Sequence, residues 1–390
     1  MKKVLLHHIA SDFGKPSSIG FRSQNIYDYS KKSIKTTIIC RRNCYKGKTN
    51  EIWSIDLSFL FSRIFLFIRI YIFYRFPART FELFIFNLLS IPYIFLHYIS
   101  NYKSTKFMHT WDTSYWLLYF VKKLGYIVLK DCAMTPSKSS ILESKNNPNF
   151  YIDNTTTIAQ IKSERNIFKI SDKIISPSKY TTTFIAEHYK IDQNKIITIP
   201  FGVDQKRFYF INKKSTQEKK IKLGFVGLVN KRKGIRWLIE CLNYLESINQ
   251  TGTNFELHLF GRIFNEEKKF INSAQFKIVK HGFIDNNKIN IYEAIDLLVH
   301  PSFIEGSAKC IYEAMASGLP IICTKQSGSL VQHKINGFLV NAGETKELIS
   351  AINFFLMNKS SLILMGKKSK SIIKDYTWER YSKSIFDLYK

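Results

Sequence analysis

Short apolar runs of strand type alternate with helical stretches along almost the whole chain, and this alternation restricts the fold more than any other feature. The runs are KVLLHHI, TTIICRR, KFMHT, YIVLK, DKIISPS and KIITIP, then IKLGFVG, FELHLFG, FKIVKHGF, DLLVHPS, LPIICT and NGFLV. Strand and helix in regular succession predict a doubly wound α/β fold, here twice over. The 390 residues suffice for two domains, and a hydrophobic share of 45% supports sizeable cores. A break falls after IPFGVDQKRF, where YFINKKSTQEKK is polar, charged and poor in core residues, as an interdomain linker should be. The first domain is expected at 1–208 and the second from 209 onward.

The segment HPSFIEGSAKCIYEAMASGLPIICT, His300 to Thr324, sets two carboxylates, Glu305 and Glu313, eight residues apart among small and apolar side chains. It reads as a loop and a helix between two strands, with Gly318 and Pro320 ending the helix. Ser307 is the expected N-cap, and Gly306 lets the backbone approach a ligand closely. Ala308, Ile311, Ala314 and Met315 form an inward stripe at helical spacing, and Glu313 falls off it. Such units bind ligands beyond the carboxyl ends of the strands, where free N–H groups and the helix dipole favour an anion. Glu305 lies in that crevice. A glycosidase-like acid and nucleophile pair is disfavoured, because eight helical residues at about 1.5 Å each span about 12 Å. Carboxylates flanking an anion-binding helix start suit a long ligand with hydroxyl-bearing ends and a central diphosphate, the shape of a nucleoside diphosphate sugar. Pairing of Lys309 with Glu313 is the simpler alternative, but that orientation is the poorer one, such pairs give only about 0.2–0.5 kcal/mol, and Glu305 and Gly306 stay unexplained.

The net charge of +28 requires a partner or an explanation. Nucleic acid is the obvious candidate, yet no RNP-like, zinc-finger or helix-turn-helix signature occurs, and no nucleic-acid partner is expected. The first 110 residues carry 17 Lys and Arg against 5 Asp and Glu around the most aromatic part of the chain, a pairing that points to anionic lipid. Within Leu57 to Ser100, Arg63 and Arg69 interrupt one candidate membrane span, and Pro92 and His97 interrupt a second. Arg63, Arg69, Arg75 and Arg79 among Phe, Tyr and Ile suit a surface resting on headgroups; two ordinary aromatic-rich helices are the alternative. The six cysteines are scattered without CxxC spacing or clustered histidines, so they read as reduced, cytosolic core residues with no metal site. The N-terminal MKKVLLHHIASDFG has too short an apolar run for a signal peptide and reads as a first strand.

Taken together, these motifs resemble family 4 of the glycosyltransferases, retaining enzymes of the GT-B architecture, in which two Rossmann-like domains face each other across a cleft. HPSFIEGSAKCIYEAMASGLPIICTKQSGSLVQHKINGFLV is similar to the family's E-x7-E motif and downstream Gly-containing loop. The resemblance implies that Glu313 holds the donor's ribose hydroxyls and Glu305 contacts the sugar. It also implies that the backbone of Gly306, Ser307, Ala308, Lys309 and Cys310 approaches sugar and phosphate. GFVGLVNKRKGIRWLIECL looks like the diphosphate-binding loop: Lys233 fits, and because Leu228 follows Gly227 where many members carry arginine, the second positive charge falls to Arg232 by analogy. KHGFI resembles the base-binding strand end, implying main-chain contacts at Gly282 and Phe283. ERNIFKISDKIISPSKYTTTFIAEHYKIDQNKIITIPFGVDQKRF is similar to the family's approach to the linker, where Gly202 supplies a turn. DFGKPSSIGFRSQNIYD occupies the place of the loop facing the acceptor, with Gly20 alone where paired glycines are usual, and His109 stands about where many members keep a histidine near the sugar. YTWERYSKSIFDLYK resembles the terminal helix, 376–390, that packs back on the first domain and leaves 209–375 as the nucleotide-sugar domain.

The activity implied is retaining, metal-independent transfer of a hexosyl group from a UDP or GDP type sugar to a glycan or lipid-linked acceptor in cell-envelope polysaccharide synthesis. No cofactor is expected, and the location is cytoplasmic, at the inner membrane face if 57–100 touches lipid. A nucleotide-sugar epimerase on the same fold, or a basic membrane- or nucleic-acid-associated scaffold, are the alternatives.

Overall fold

Two parallel sheets organise the molecule. The first has seven strands, β1 (Lys3–Phe13), β2 (Lys35–Asn43), β3 (Ile52–Ser54), β4 (Thr105–Thr110), β5 (Tyr126–Asp131), β6 (Lys173–Ser176) and β7 (Ile196–Thr198), in the order β3-β2-β1-β4-β5-β6-β7. The second has six, β8 (Ile221–Val226), β9 (Phe255–Phe260), β10 (Ile278–Gly282), β11 (Leu297–His300), β12 (Ile321–Thr324) and β13 (Gly337–Val340), in the order β10-β9-β8-β11-β12-β13. Each order reverses beside its first strand, between β1 and β4 and between β8 and β11, which opens a crevice at the carboxyl ends. The computed structural model describes residues 2–14, 19–47, 51–57, 78–151, 155–211, 220–248, 254–283 and 291–390. Arg63, Arg69, Arg75, the Arg79 side chain and linker residues 212–219 lie outside the described residues.

All twelve apolar runs form strands, and the short edge strand β3 joins them. Their reach into the core explains why they read so clearly: all six residues of β9 and all four of β11 and β12 are buried, as expected where helices cover both faces of a parallel sheet. Leu6 is paired with Thr37 on one side and Met108 on the other, so β1 is central to its sheet.

One stretch departs from expectation. Pro92 and His97, expected to interrupt a candidate membrane span, lie inside a single helix, Ala78–Ser100. Its inner side buries Phe86 and Ile94 with Leu6, Ile39 and Met108, and the buried His97 Nδ1 meets the Tyr126 hydroxyl at 2.7 Å. Those contacts hold the helix across the proline, which removes one backbone donor. Phe81–Ser100 is long and apolar enough to cross a membrane by length and composition, but one side of it is committed to the first sheet.

The chain crosses between the two sheets' territories in two adjacent places. After β7, Val203 N–H donates to the Tyr376 carbonyl at 3.0 Å. The last helix, Trp378–Phe386, is N-capped by Thr377 and lies on helix Ile19–Ser30, with Phe21 against Trp378 at 5.1 Å and Tyr29 against Phe386 at 5.6 Å between ring centroids. Gly202, expected to supply a turn, serves a close approach instead: a Cβ there would lie 2.3 Å from the Trp378 nitrogen. Gly202→Ala therefore forces the two crossings apart. It is expected to lower stability by about 2 kcal/mol, the scale of local overpacking, read as a reduced denaturant midpoint at unchanged m-value.

Candidate functional site

The crevice of the second sheet is built by two loops that the chain locks together. After β8, Asn230 caps the single turn Lys231–Lys233 by accepting the Lys233 N–H at 3.2 Å. Gly234 then adopts φ +77°, and a Cβ there would meet the Pro301 carbonyl oxygen at 2.0 Å, so the turn sits directly on the loop that follows β11. Phe303 N–H and the Ser302 hydroxyl both donate to the Arg232 carbonyl, at 2.9 and 3.2 Å. This zipper carries Arg232 and Lys233 to Glu305. The Arg232 guanidinium donates to the Ile304 carbonyl at 2.5 Å and to Glu305 Oε1 at 2.9 Å, and the Lys233 ammonium pairs with the same oxygen.

Burial alone would push the Glu305 carboxyl up, but Lys233 and then Arg232 outweigh it and hold it at about 2. The group is ionised throughout the physiological range. Two cations face one carboxylate, leaving the cluster a net positive charge at the switch point of the sheet. Beneath it His300 is fully buried; burial first, then Lys233, lowers its imidazole to about 3. Its Nδ1 lies 3.4 Å from Cys310 Sγ, and its Nε2 has no partner among the described residues.

At the other end of the motif, the partly buried Glu313 accepts the Tyr292 hydroxyl at 2.7 Å. Burial raises its carboxyl above the ordinary range despite that bond and the nearby Lys309. No ion pair joins Lys309 to Glu313; the Lys309 ammonium lies 5.4 Å from the Phe21 ring and 5.7 Å from Trp378, both outside the second sheet. The glycines at the strand ends leave room. Gly227 (φ +128°) and Gly282 (φ +69°) have nothing within 4 Å of where a Cβ would point, while Gly261 between them packs on the Gly227 carbonyl. Phe283, next to Gly282, is 84% exposed.

Several expected roles are corrected. Ser307 is not the N-cap: helix Lys309–Ala316 starts after Ala308 without a side-chain cap, and the Ser307 hydroxyl is used on the Gly328 carbonyl at 2.8 Å and the Tyr312 hydroxyl at 2.7 Å. Ala308, Ile311, Ala314 and Met315 are buried as the stripe predicts. The space a Gly306 Cβ would need is taken by first-domain backbone, the Ala133 oxygen at 2.5 Å, so this glycine permits contact between the domains. Gly20 is in the first turn of helix Ile19–Ser30, where a Cβ would lie 1.9 Å from the Asp12 carbonyl oxygen; it packs helix on strand and faces no open space. His109 is fully buried, stacked on Trp111 at 4.2 Å, with Nδ1 on the Tyr389 hydroxyl at 2.5 Å and Nε2 3.4 Å from Asp131. Its Nδ1 is thus committed to Tyr389, and its ring is enclosed by Trp111, Tyr389 and Asp131. Burial lowers its imidazole below the usual value even though Asp131 opposes the shift.

The structure thus unites Lys233, Arg232 and Glu305, keeps Glu313 on the same motif, and separates His109 and Gly20 into packing roles. Tyr292 and His300 were not anticipated. Their apolar strand and turn contexts carry no sign of a polar task, although His300 ending an otherwise apolar strand was the one readable hint.

The chain is similar in sequence and in fold to known proteins. Residues 220–358 match the family model described as glycosyl transferases group 1. The chain is 26% identical over 237 residues to a GDP-mannose-dependent alpha-mannosyltransferase of Corynebacterium glutamicum, covering 58% of this chain and 54% of that protein. It is 27% identical over 239 residues to UDP-Gal:alpha-D-GlcNAc-diphosphoundecaprenol alpha-1,3-galactosyltransferase of Escherichia coli, covering 55% and 62%. The chain thus spans little more than half the length of these curated relatives. Among solved structures, Alr3699/HepE of Anabaena in complex with UDP superposes with a TM-score of 0.65 at 14% identity, covering 100% of this chain and 99% of that one. The fold is two Rossmann-like domains in the GT-B arrangement.

The charge cluster makes a pH-dependent contribution of definite sign. A carboxyl whose folded pKa is depressed stabilises fully above its unfolded value, near 4.5, and loses that contribution as pH falls toward about 2. Glu305→Gln removes this limb and leaves two cations unpaired. At pH 7 it is expected to cost about 2 kcal/mol, a value below that for fully buried pairs because Arg232 is partly exposed. Urea titrations at pH 7, 4 and 2.5 check it, the gap between variant and wild type closing as pH falls.

Proposed function

We propose that this protein is a glycosyltransferase that moves a hexosyl group from a nucleoside diphosphate sugar to a glycan or lipid-linked acceptor in polysaccharide synthesis. The observation that carries the reading is the convergence of Lys233, Arg232 and Glu305 at the switch point of the second sheet, beside the open space at Gly227. The family match over 220–358 and the relatives that use GDP-mannose and UDP-galactose support it.

In this reading the diphosphate lies on Lys233 and Arg232, the ribose on Glu313, the base near Gly282 and Phe283, and the sugar by Glu305. As the anomeric C–O bond to the diphosphate breaks, negative charge grows on the leaving oxygen, and the two cations stabilise it in a partly buried site. A new C–O bond forms to the acceptor hydroxyl on the same face, with retention, and that hydroxyl's proton passes to the departing phosphate oxygen. No protein base is required. Glu305 and Glu313 act by holding sugar and ribose in place. Because Glu305 already neutralises part of the cationic charge, its removal leaves more of that charge for the diphosphate.

Calorimetry with UDP and GDP, their 2′-deoxy forms and their sugar conjugates tests these assignments. Glu313→Gln is expected to weaken nucleotide affinity about tenfold and to erase the preference for ribose over deoxyribose, because a charged hydrogen bond to a hydroxyl is lost. Lys233→Ala is expected to lower transfer rate by about a hundredfold or more, while Glu305→Gln keeps nucleoside diphosphate affinity or raises it and loses transfer. Unchanged ribose discrimination in Glu313→Gln defeats the assignment.

A lipid-linked acceptor would bring the enzyme to the cytoplasmic face of a membrane. The outer side of helix Ala78–Ser100 suits that location: Phe84, Leu88, Phe95, Leu96 and Ile99 are exposed in a line, and Glu82 is the one acidic residue of the helix. Lys103 and Lys123 beside it lie over the Tyr102 and Tyr119 rings, each at 5.4 Å, matching apolar tails with anionic headgroups. Leu88→Glu with Leu96→Glu is expected to abolish flotation with phosphatidylglycerol vesicles and leave circular dichroism unchanged. Equal flotation of the variant and wild type rules out docking through this face.

A further inference from the structure

Three hydroxyls of the first domain reach across to the loop that carries Glu305. Thr135 Oγ1 donates to the Glu305 carbonyl, Ser178 Oγ donates to the Gly306 carbonyl at 2.7 Å, and Thr181 Oγ1 lies 3.3 Å from the same oxygen. All three residues are buried, and their hydroxyls adjoin one another, Thr135 to Thr181 at 3.2 Å and Ser178 to Thr181 at 3.1 Å. Ser178 is also the N-cap of helix Lys179–Tyr189, accepting the Thr181 N–H at 3.2 Å. Its acceptor side serves its own helix while its proton serves the other domain. Side chains larger than glycine cannot enter this seam: a Cβ on Gly328 would lie 2.2 Å from the Gly306 oxygen and 2.6 Å from Ser178 Oγ.

The geometry of the peptide unit gives this clasp a consequence for the crevice. In a planar trans peptide the carbonyl of one residue and the N–H of the next point in opposite directions. Holding the Glu305 and Gly306 carbonyls toward the first domain therefore turns the N–H groups of Gly306 and Ser307 away from it. Neither donates to a protein acceptor among the described residues, whereas the flanking amides are spent: Glu305 N–H on the Gln326 carbonyl at 3.2 Å and Ala308 N–H on the Ser327 carbonyl at 3.1 Å. Two consecutive N–H groups left open between two anchored ones form a concavity suited to an anionic oxygen.

We propose that Thr135, Ser178 and Thr181 are positioning residues for donor binding. They fix the two peptide planes after Glu305, so affinity for a nucleoside diphosphate depends on first-domain hydroxyls whose partners are carbonyls of the second domain. This rests on the donor site described above, and the experiment separates the two. Thr135→Val with Thr181→Val keeps side-chain shape and removes both hydroxyls; Thr135→Ser with Thr181→Ser restores them. With UDP or GDP as the calorimetric probe, the valine pair is expected to bind about tenfold more weakly than wild type, the scale of a lost hydrogen bond or two, and the serine pair to recover. Amide hydrogen exchange over Ile304–Ala308 is expected to speed up in the valine pair alone, with or without nucleotide. Equal nucleotide affinity in the valine pair and wild type overturns the positioning role, whatever the exchange. If wild type binds neither nucleotide, the donor site is wrong, and exchange alone then decides the clasp: unchanged rates overturn it and faster rates support it.

Discussion

A carboxylate buried at the carboxyl end of each sheet and kept ionised by its neighbours is the interaction around which each domain is arranged. In the first domain it is Asp131, the last residue of β5. Burial would raise its carboxyl, but Arg22 at 3.2 Å, with His109 next, holds it below the ordinary range. Arg22 comes from helix Ile19–Ser30, His109 from β4, and Tyr381, 3.5 Å from the other carboxylate oxygen, from the terminal helix. An unpaired charge at 1% exposure would cost several kcal/mol. One charge thus specifies where three elements converge, and it ties the end of the chain to the first domain.

Glu305 is the same device in the second domain with one difference. Its cations come from a single loop, and the Arg232 side chain remains 27% exposed. Where Asp131 is closed over by Tyr381 and Tyr389 with their ring neighbours, no tyrosine pair among the described residues closes over the Glu305 carboxylate in the same way. The two crevices are topologically equivalent, each at the reversal of a sheet that runs third, second, first, fourth. One is filled by the protein's own terminal helix. The other keeps its net positive charge and its open glycine edge.

What the sequence made legible follows from how local each signal is. The central strands were readable because strands buried on both faces need unbroken apolar runs, as β9, β11 and β12 show; β3, three residues of IWS at a sheet edge, is too short to carry a pattern. Motif resemblance assigned Glu305 and Lys233 to one site, but their ion pair was not foreseen, since the residues are far apart in sequence and meet through the zipper of Gly234, Ser302 and Phe303. Ser307 looked like a cap because a serine before a helix usually is one; the helix starts one residue later, after Ala308, and the Ser307 hydroxyl donates to the Gly328 carbonyl and meets the Tyr312 hydroxyl instead. His109 and Gly20 stood in the right places along the chain for a site, but burial by Trp111, Tyr389 and the Asp12 backbone decides their roles, and none of that burial is encoded nearby. Thr135, Ser178 and Thr181 had no readable signal at all, because hydroxyls of this kind are ordinary in loops and caps.

The distribution of contacts between the domains bears on how the cleft would work. On one side the two chain crossings lie together, Gly202 against Thr377 and Trp378, with the Gln205 amide on the Ile373 and Lys374 carbonyls at 3.1 and 2.8 Å. On the other side the domains meet through the hydroxyl clasp, the Gln326 to Glu143 bond at 3.1 Å, and the Phe303 ring against Phe150 and Tyr151. Opening about the crossings would leave the first set intact and break only the second. Each hydrogen bond exchanged for water costs about 1 kcal/mol net, so a handful of them sets an energy gap small enough for a ligand bridging the cleft to tip. Beside those rings, the hydroxyls and carbonyls of this side are wetted readily when apart, so its exposure costs less than that of a wholly apolar seam, at about 25 cal/mol per Å².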